Sequence, residues 1–339
     1  MRKLANAIRR PGLMWNYLGI RLGAAYRPER VPFLPVHLDI EPNNTCNFRC
    51  PHCQVTYWNK ERHLLDPAGF KHILDQFNGF LRVKLQGMGE PLLNENLSEL
   101  LREGEARSAE MSIISNGSIY TDKIADQFMK LKATLITFSL DGASAFVFEK
   151  IRAGSSFERV TDNIRRFVRA RGTASSPILA AWTVVTRDNI GELSGIVALT
   201  DSLGLDHLTI QTFLSDWGKS EMQQHTDPVK VEFESEPLRE ALGKATAAAR
   251  RAGLRMKIVS HDYYSSDRPC PWPWTSAYIA ANGDVVPCCI IADSDIVRMG
   301  NLFEEDFRSI WNGGAYRELR RRIRTNDLPE YCRGCYKLA

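Results

Sequence analysis

Residues 36–53 read Val-His-Leu-Asp-Ile-Glu-Pro-Asn-Asn-Thr-Cys-Asn-Phe-Arg-Cys-Pro-His-Cys. The opening alternates: Val36, Leu38 and Ile40 fall on one face, and His37, Asp39 and Glu41 on the other, the period of a strand. A loop with three cysteines, Cys46, Cys50 and Cys53, follows directly in a C-x3-C-x2-C spacing. Three thiolates on one tight loop can hold three corners of a cubane [4Fe–4S] cluster, leaving the fourth iron without a protein ligand. A closed structural zinc site would need a fourth residue, and His52 is the candidate inside the spacing.

Outward from this stretch, two kinds of segment alternate. Residues 81–87, 111–116, 135–141, 178–186 and 207–213 read as further strands, with helical patterns near 66–78, 96–108, 121–132, 156–171 and 189–203. Asp66-Pro67 marks a helix start, and Ser155 followed by Glu158 reads as a capping box. Such alternation means βαβ units and a parallel sheet, and six units imply an incomplete (β/α)6 barrel of the TIM-like α/β class. A further helix is expected over 236–252, and 255–260 is a last strand or a linker.

Several strands carry one polar face: Arg82, Lys84 and Gln86 in the second, Thr137, Ser139 and Asp141 in the fourth, Thr209 and Gln211 in the sixth. Barrel interiors without a ligand are packed with branched apolar side chains. A polar interior therefore predicts a wet lumen holding a polar ligand; exposed edge strands would explain one such pattern, not four. His37, Asp39, Lys84, Gln86, Gln211, Tyr57 and Trp58 are the candidate lining.

The chain has 339 residues, 44% hydrophobic and 25% charged, which excludes collagen-like, disordered and coiled-coil classes. No run of 18 apolar residues occurs. Pro11, Asn16 and Arg21 interrupt the N-terminal apolar run, making it a poor signal peptide, so a cytoplasmic location is expected. Of the net charge of +4, residues 1–30 hold seven basic side chains against Glu29 alone, which leaves the remainder slightly acidic. A nucleic-acid enzyme would spread positive charge over a working surface, so no nucleic-acid partner is expected. The basic segment either packs on the main domain with its charges solvated or makes a peripheral contact with an anionic membrane or acidic partner.

From residue 263 the texture becomes short, turn-rich and metal-spaced. The organisation read from the sequence is a basic helical extension over 1–34, the barrel over 35–262 and a small metal-supported domain over 263–339. The remaining five cysteines lie there: Cys270-x12-Gly283-x4-Cys288, then Cys289, then Cys332-x2-Cys335. Clustered cysteines in such a chain read as metal ligands before disulfides, and four thiolates at this spacing suit zinc or iron–sulfur.

The C-x3-C-x2-C loop after the first strand resembles the signature of the radical S-adenosylmethionine (SAM) superfamily. Other motifs fall at strand ends where that family puts them. Gly87-Met88-Gly89-Glu90-Pro91 resembles its G-G-E-P motif, with Met88 displacing a glycine. Ser115-Asn116-Gly117 resembles its T-N-G, and Ser139-Leu140-Asp141-Gly142 its S-x-D-G. The resemblance implies that Cys46, Cys50 and Cys53 hold a cluster whose open iron chelates SAM. One electron then yields methionine and a 5′-deoxyadenosyl radical, which removes hydrogen from an unactivated C–H bond. It further implies SAM contacts from Gly87, Gly89, Glu90 (methionine ammonium), Asn116, Ser139 and Asp141 (ribose), and Arg152 (carboxylate).

The C-terminal cysteines, with Gly300-Asn301-Leu302 and Ile310-Trp311, are similar to the family's SPASM and twitch domains. The resemblance implies one auxiliary [4Fe–4S] cluster on Cys270, Cys288, Cys332 and Cys335, as in the twitch-type dehydrogenases. Cys289 is then left over, either a small buried side chain or a hydrogen-atom donor. An electron donor such as flavodoxin or ferredoxin is implied. Only about 35 residues precede the first strand, short for a leader-binding domain, which favours a small substrate over a peptide. The expected reaction is oxidation of a polar small molecule such as a sugar or aminocyclitol. The alternatives are epimerisation of the same class, peptide maturation, or a non-enzymatic zinc protein.

Overall fold

The computed structural model describes residues 11–233, 235–260 and 264–336. The boundary expected at 262 and 263, and the basic residues Arg2, Lys3, Arg9 and Arg10, lie outside them. The described chain begins with helix α1 (Pro11–Tyr26). Strand β1 (His37–Ile40) opens a repeating series: α2 (Pro67–Asp75), β2 (Arg82–Leu85), α3 (Leu97–Ala106), β3 (Glu110–Ser115), α4 (Asp122–Phe128), β4 (Thr134–Ser139), α5 (Ala145–Ile151), α6 (Phe157–Arg171), β5 (Ile178–Val184), α7 (Leu193–Ser202), β6 (His207–Gln211), α8 (Glu236–Ala252) and β7 (Arg255–Val259). Strands β1 to β7 pair in chain order, all parallel, so every strand C-terminus lies along one rim.

The register explains the layers. Ile40, Leu85, Ile113, Ile136 and Leu179 stand side by side across five strands, all fully buried under the helices. Burying five such side chains helps to drive the packing of the helices on the sheet. On the opposite face, one residue earlier, Asp39, Lys84 and Ser112 share a row, as the alternation predicts.

Helix starts follow the local rules. Asp66 accepts the Gly69 N–H at 2.6 Å with Pro67 at the first helical position. At α6 the cap is Ser156, not Ser155: Ser156 Oγ accepts the Arg159 N–H at 3.3 Å, while Ser155 Oγ is buried without a partner. The helix begins one residue later than the capping-box spacing suggests because Arg159, not Glu158, occupies the third helical position. Residues 255–259 form a true strand, paired with β6.

The C-terminal region continues the same sheet. Strand β8 (Ser276–Ile279) pairs parallel with β1, placing Tyr278 beside Asp39, and β9 (Asp284–Val286) and β10 (Gly300–Asn301) extend the edge antiparallel. Helices α9 (Phe307–Trp311) and α10 (Gly314–Arg324) follow. Residues 28–33 strap this region to the barrel. Trp274 Nε1 donates to the Pro28 carbonyl, Trp311 Nε1 to that of Phe33, and Asn312 bonds both polar groups of Val31. Buried Arg320 donates to the carbonyls of Glu29, Pro273 and Trp311.

Candidate active site

The loop after β1 carries Cys46, Cys50 and Cys53 at the rim. It is closed by the Cys53 N–H on the Cys50 carbonyl (3.0 Å), Thr56 Oγ1 on the same carbonyl (2.8 Å), and the Arg49 N–H on the Ala153 carbonyl (2.8 Å). Burial pushes all three thiols up, Cys53 to about 12; neighbouring thiols add to the rise of Cys46 and Cys53, and Asp141 to that of Cys50. Sulfurs that resist ionising alone become thiolates when a cationic centre takes their charge.

His52 lies inside the cysteine spacing. Burial and the Arg152 guanidinium hold its imidazole down to about 4. Among the described residues no three Cys, His, Asp or Glu side chains converge on a single-ion site. Three thiols without a fourth donor fit a cubane with one open iron.

The neighbouring strand ends are interlocked. Glu90 is buried and accepts Ser115 Oγ (2.7 Å), the Asn116 N–H (2.6 Å) and the Leu92 N–H (3.1 Å). Asn116 Nδ2 bonds Asn47 Oδ1 (2.9 Å) and approaches Cys46 Sγ (3.9 Å), linking the third strand end to the cluster loop. The two flanking glycines are required by close approach. A Cβ on Gly87 would stand 2.3 Å from Glu41, and one on Gly89 2.3 Å from Asn43 Oδ1. Met88, which departs from the glycine pattern, is buried among Val55, Tyr278, Ala280, Val286 and Ala292, with Gln54 Nε2 on its sulfur (2.9 Å). Its side chain fills the junction between cluster loop and C-terminal region.

Buried Asp141 pairs with the half-buried Arg152. Asp141 Oδ2 takes Arg152 Nε (2.6 Å) and Nη2, and Oδ1 takes the Val184 N–H (2.7 Å). The guanidinium also opposes the rise of the Cys50 thiol. Both carboxylate oxygens expected to face a ribose are thus engaged with protein donors, and Arg152 stands against the cluster loop. Ser139 is buried at the same rim.

The C-terminal thiols Cys270, Cys288, Cys332 and Cys335 share a buried environment. Burial raises all four, and Cys288 raises Cys270, Cys332 and Cys335 further; Cys335 reaches about 12. Four tyrosines surround them. Tyr264 donates its hydroxyl to Cys270, Tyr336 Oη accepts the Cys270 N–H at 2.9 Å, and Tyr331 is raised to about 12 by burial and then by Cys332. Tyr316 is fully buried beside Cys288, and its hydroxyl has no partner among the described residues. An orphaned buried O–H costs about 1–3 kcal/mol unless an acceptor reaches it. Four thiols plus an unused hydroxyl fit a cluster whose sulfurs accept hydrogen bonds.

Between the two cysteine sets lies the polar row of the lumen. Asp39 Oδ2 accepts Gln86 Nε2 at 3.1 Å, and the neighbouring Cys289 thiol helps to hold the Asp39 carboxyl down. Burial raises the Asp39 carboxyl, and Lys84 opposes the rise. Lys84 Nζ lies 5.7 Å from the Trp182 ring centre. Cys289 therefore faces the lumen while its neighbour Cys288 faces the auxiliary set. His37 is exposed, and Tyr57 is stacked on His225 at 3.9 Å, so neither joins this row. Gln211 is turned to the Phe213 carbonyl. Trp58 lines a groove of about 280 Å³ with Asn44, Lys60, His63, Asn282 and Asp293.

Two features were not anticipated. Glu41, fully buried, accepts the N–H groups of Met88 (2.8 Å) and Ala281 (3.2 Å) and the Tyr278 hydroxyl (3.3 Å); burial raises its carboxyl to about 7. Buried Asp293 binds Lys60 and Lys219, tying three loops together. Glu41 shares the alternation of β1 and was legible as a polar inward residue; the Asp293 contacts are long-range and leave no local signal.

The radical SAM superfamily profile matches residues 40–193, and the SPASM iron–sulfur cluster-binding domain matches residues 270–336. The chain is 25% identical over 322 residues (88% of this chain, 86% of the relative) to a tungsten-containing aldehyde ferredoxin oxidoreductase cofactor-modifying protein of Pyrococcus furiosus. It is 27% identical over 171 residues (50% and 45%) to the mycofactocin maturase MftC of Mycobacterium ulcerans. Streptococcus suis SuiB bound to the precursor peptide SuiA superposes with a TM-score of 0.69 at 19% identity, over 92% of this chain and 71% of SuiB. Two matched domains in this order, on two thiol sets that fit their clusters, show that the chain belongs to the radical SAM superfamily, binding SAM at one [4Fe–4S] cluster and carrying an auxiliary one in a C-terminal SPASM domain.

Proposed function

We propose that this enzyme is a maturase that oxidises one residue of a peptide substrate. The observation that carries the reading is the lumen row Asp39–Lys84–Gln86 with Cys289, one residue from the auxiliary ligand Cys288 and below the polar groove at Trp58. The groups that Cys46, Cys50 and Cys53 and the four C-terminal thiols would hold would supply a hydrogen-abstracting radical and an electron acceptor. Asp39, whose burial keeps its carboxyl basic for its kind, takes the proton that leaves the substrate. Lys84 holds a carbonyl or carboxylate of the substrate. The balance is two hydrogens lost: one as an atom to the radical, one as a proton to Asp39, with the remaining electron passing toward Cys288. The groove's asparagines and charged side chains suit a peptide backbone, and both the maturase relative and the peptide-bound SuiB support that class. Gly87, Gly89, Glu90, Asn116, Ser139, Asp141 and Arg152 are assigned to framing SAM. In this frame Glu90 positions Asn116, and Arg152 acts from its pair with Asp141.

A second reading, oxidation of a sugar or aminocyclitol, is favoured by the polarity of the lumen row. The test is 5′-deoxyadenosine formation by the reduced, reconstituted enzyme, with short peptides encoded beside the gene compared against polyols and aminocyclitols. Peptide-stimulated turnover with a product lighter by two hydrogens supports the maturase; stimulation by the polyols alone, with a carbonyl product, replaces it. In deuterium oxide, a redox-neutral deuterated product that disappears in Cys289→Ala would make the enzyme an epimerase.

A further inference from the structure

Helix α1 is apolar on both sides. Its inner face is fixed: Leu13 and Ile20 are buried, Gly19 and Gly23 lie against the Phe33 ring, and Asn16 bonds both Asn78 Oδ1 (2.7 Å) and the Leu34 N–H (2.9 Å). Its outer face is formed by Pro11, Trp15, Leu18, Leu22, Ala25 and Tyr26, which fall within about a quarter-turn of each other at 3.6 residues per turn. Trp15 is 58% exposed, Leu18 52%, Leu22 60% and Tyr26 80%; among the described residues Phe146 is the one other large hydrophobic more than half exposed. A contiguous apolar stripe on a rigid helix is an interaction surface, not scattered exposure.

Charge chooses the occupant. Exposed Arg21 borders the stripe, exposed Arg30 follows the helix, and the first thirty residues carry seven basic side chains against one acid. Trp and Tyr at the two ends of the stripe are the residues that settle at a headgroup boundary. Sixteen residues cannot span a bilayer, and no helix of the described residues is long and apolar enough to do so. We propose that α1 lies flat on an anionic lipid surface, with Trp15, Leu18, Leu22 and Tyr26 seated at the headgroup–acyl boundary and Arg21 and Arg30 on the lipid phosphates.

The test uses the full-length, cluster-loaded protein and sedimentation with vesicles of phosphatidylcholine and phosphatidylglycerol in equal parts. The protein is expected to sediment with these vesicles, to stay in solution with phosphatidylcholine alone, and to be released by high salt. Leu18→Glu with Leu22→Glu should weaken binding roughly tenfold or more, and Arg21→Glu with Arg30→Glu several-fold. Iron content and 5′-deoxyadenosine formation should stay at the parent level, which excludes misfolding as the cause. No sedimentation with the mixed vesicles, or binding indifferent to Leu18→Glu and Leu22→Glu, overturns the proposal. So does a dimer seen by sedimentation velocity that these substitutions dissociate without vesicle binding, since the stripe then serves a second copy of the chain.

Discussion

The cluster loop after β1 gathers its three thiols within eight residues, whereas the C-terminal set draws Cys270, Cys288 and the Cys332/Cys335 pair from segments spread over sixty-six residues. The first set is local. Its geometry is set by loop hydrogen bonds and by the Asn116 and Arg152 contacts, so the barrel can form around it. The second closes large loops, and loop closure must be offset by whatever binds the ends together. The metal group in the C-terminal set is therefore part of what folds that region, while the one in the loop is chiefly part of what reacts.

The largest effect follows from the local set. Cys46, Cys50 and Cys53 replaced together by Ala should abolish SAM cleavage while leaving about half the iron, because one of two cubanes loses its thiolates. Dithionite-dependent 5′-deoxyadenosine from that variant would break the comparison. The dispersed set should respond in the opposite way. Cys332→Ser with Cys335→Ser should retain SAM cleavage but lose product, and the apparent unfolding midpoint should drop by on the order of ten degrees. An unchanged midpoint would mean that the strap of residues 28–33 alone holds the C-terminal region.

A third substitution probes the frame shared by both regions. Glu90→Ala strands the Ser115 hydroxyl and the N–H groups of Asn116 and Leu92, so it should cost about 2–4 kcal/mol of stability. It should also weaken SAM binding about ten- to hundredfold without loss of iron. Lowered stability with unchanged SAM affinity would reduce Glu90 to a strut.

Most of the barrel was legible because its evidence is periodic. The alternation in β1, β2 and β4 named the inner and outer faces, and the register bears it out in the row Ile40–Leu85–Ile113–Ile136. The cysteines were legible because their spacing is chemical. What escaped is long-range: the fusion of β8 onto β1, the strap, and the Asp293 contacts each join residues with no local pattern. His37 stays outside the row because alternation gives a face but not a depth, and it sits at the strand's solvent end; Tyr57, beyond the cluster loop, is held away by its stacking on His225.

Glu41 joins the two regions and gives a pH signature. Its folded pKa of about 7 lies above the ordinary 4.5 because burial disfavours the charge. The folded chain therefore binds the extra proton between these values. The contribution is fully present below about pH 4.5 and is lost as pH rises through 7, a fall of about 3 kcal/mol. Glu41→Gln should remove this slope, so its midpoint relative to the parent should rise between pH 5 and 8. A constant difference would mean that Glu41 is ionised throughout.

The smallest effect belongs to Tyr316. Its hydroxyl is buried beside Cys288 with no partner among the described residues, whereas Tyr264 already donates to Cys270. An O–H donor to a cluster sulfur stabilises the more negative, reduced state. Tyr316→Phe should therefore lower the auxiliary cluster's reduction potential by on the order of tens of millivolts, read by EPR-monitored titration. The SAM-binding cluster, which Tyr316 does not approach through any described contact, should keep its potential. Equal shifts in both would point to a general loosening of the fold. An unshifted auxiliary potential would mean that the hydroxyl meets a water instead, and that the dispersed set is tuned by Tyr264 alone.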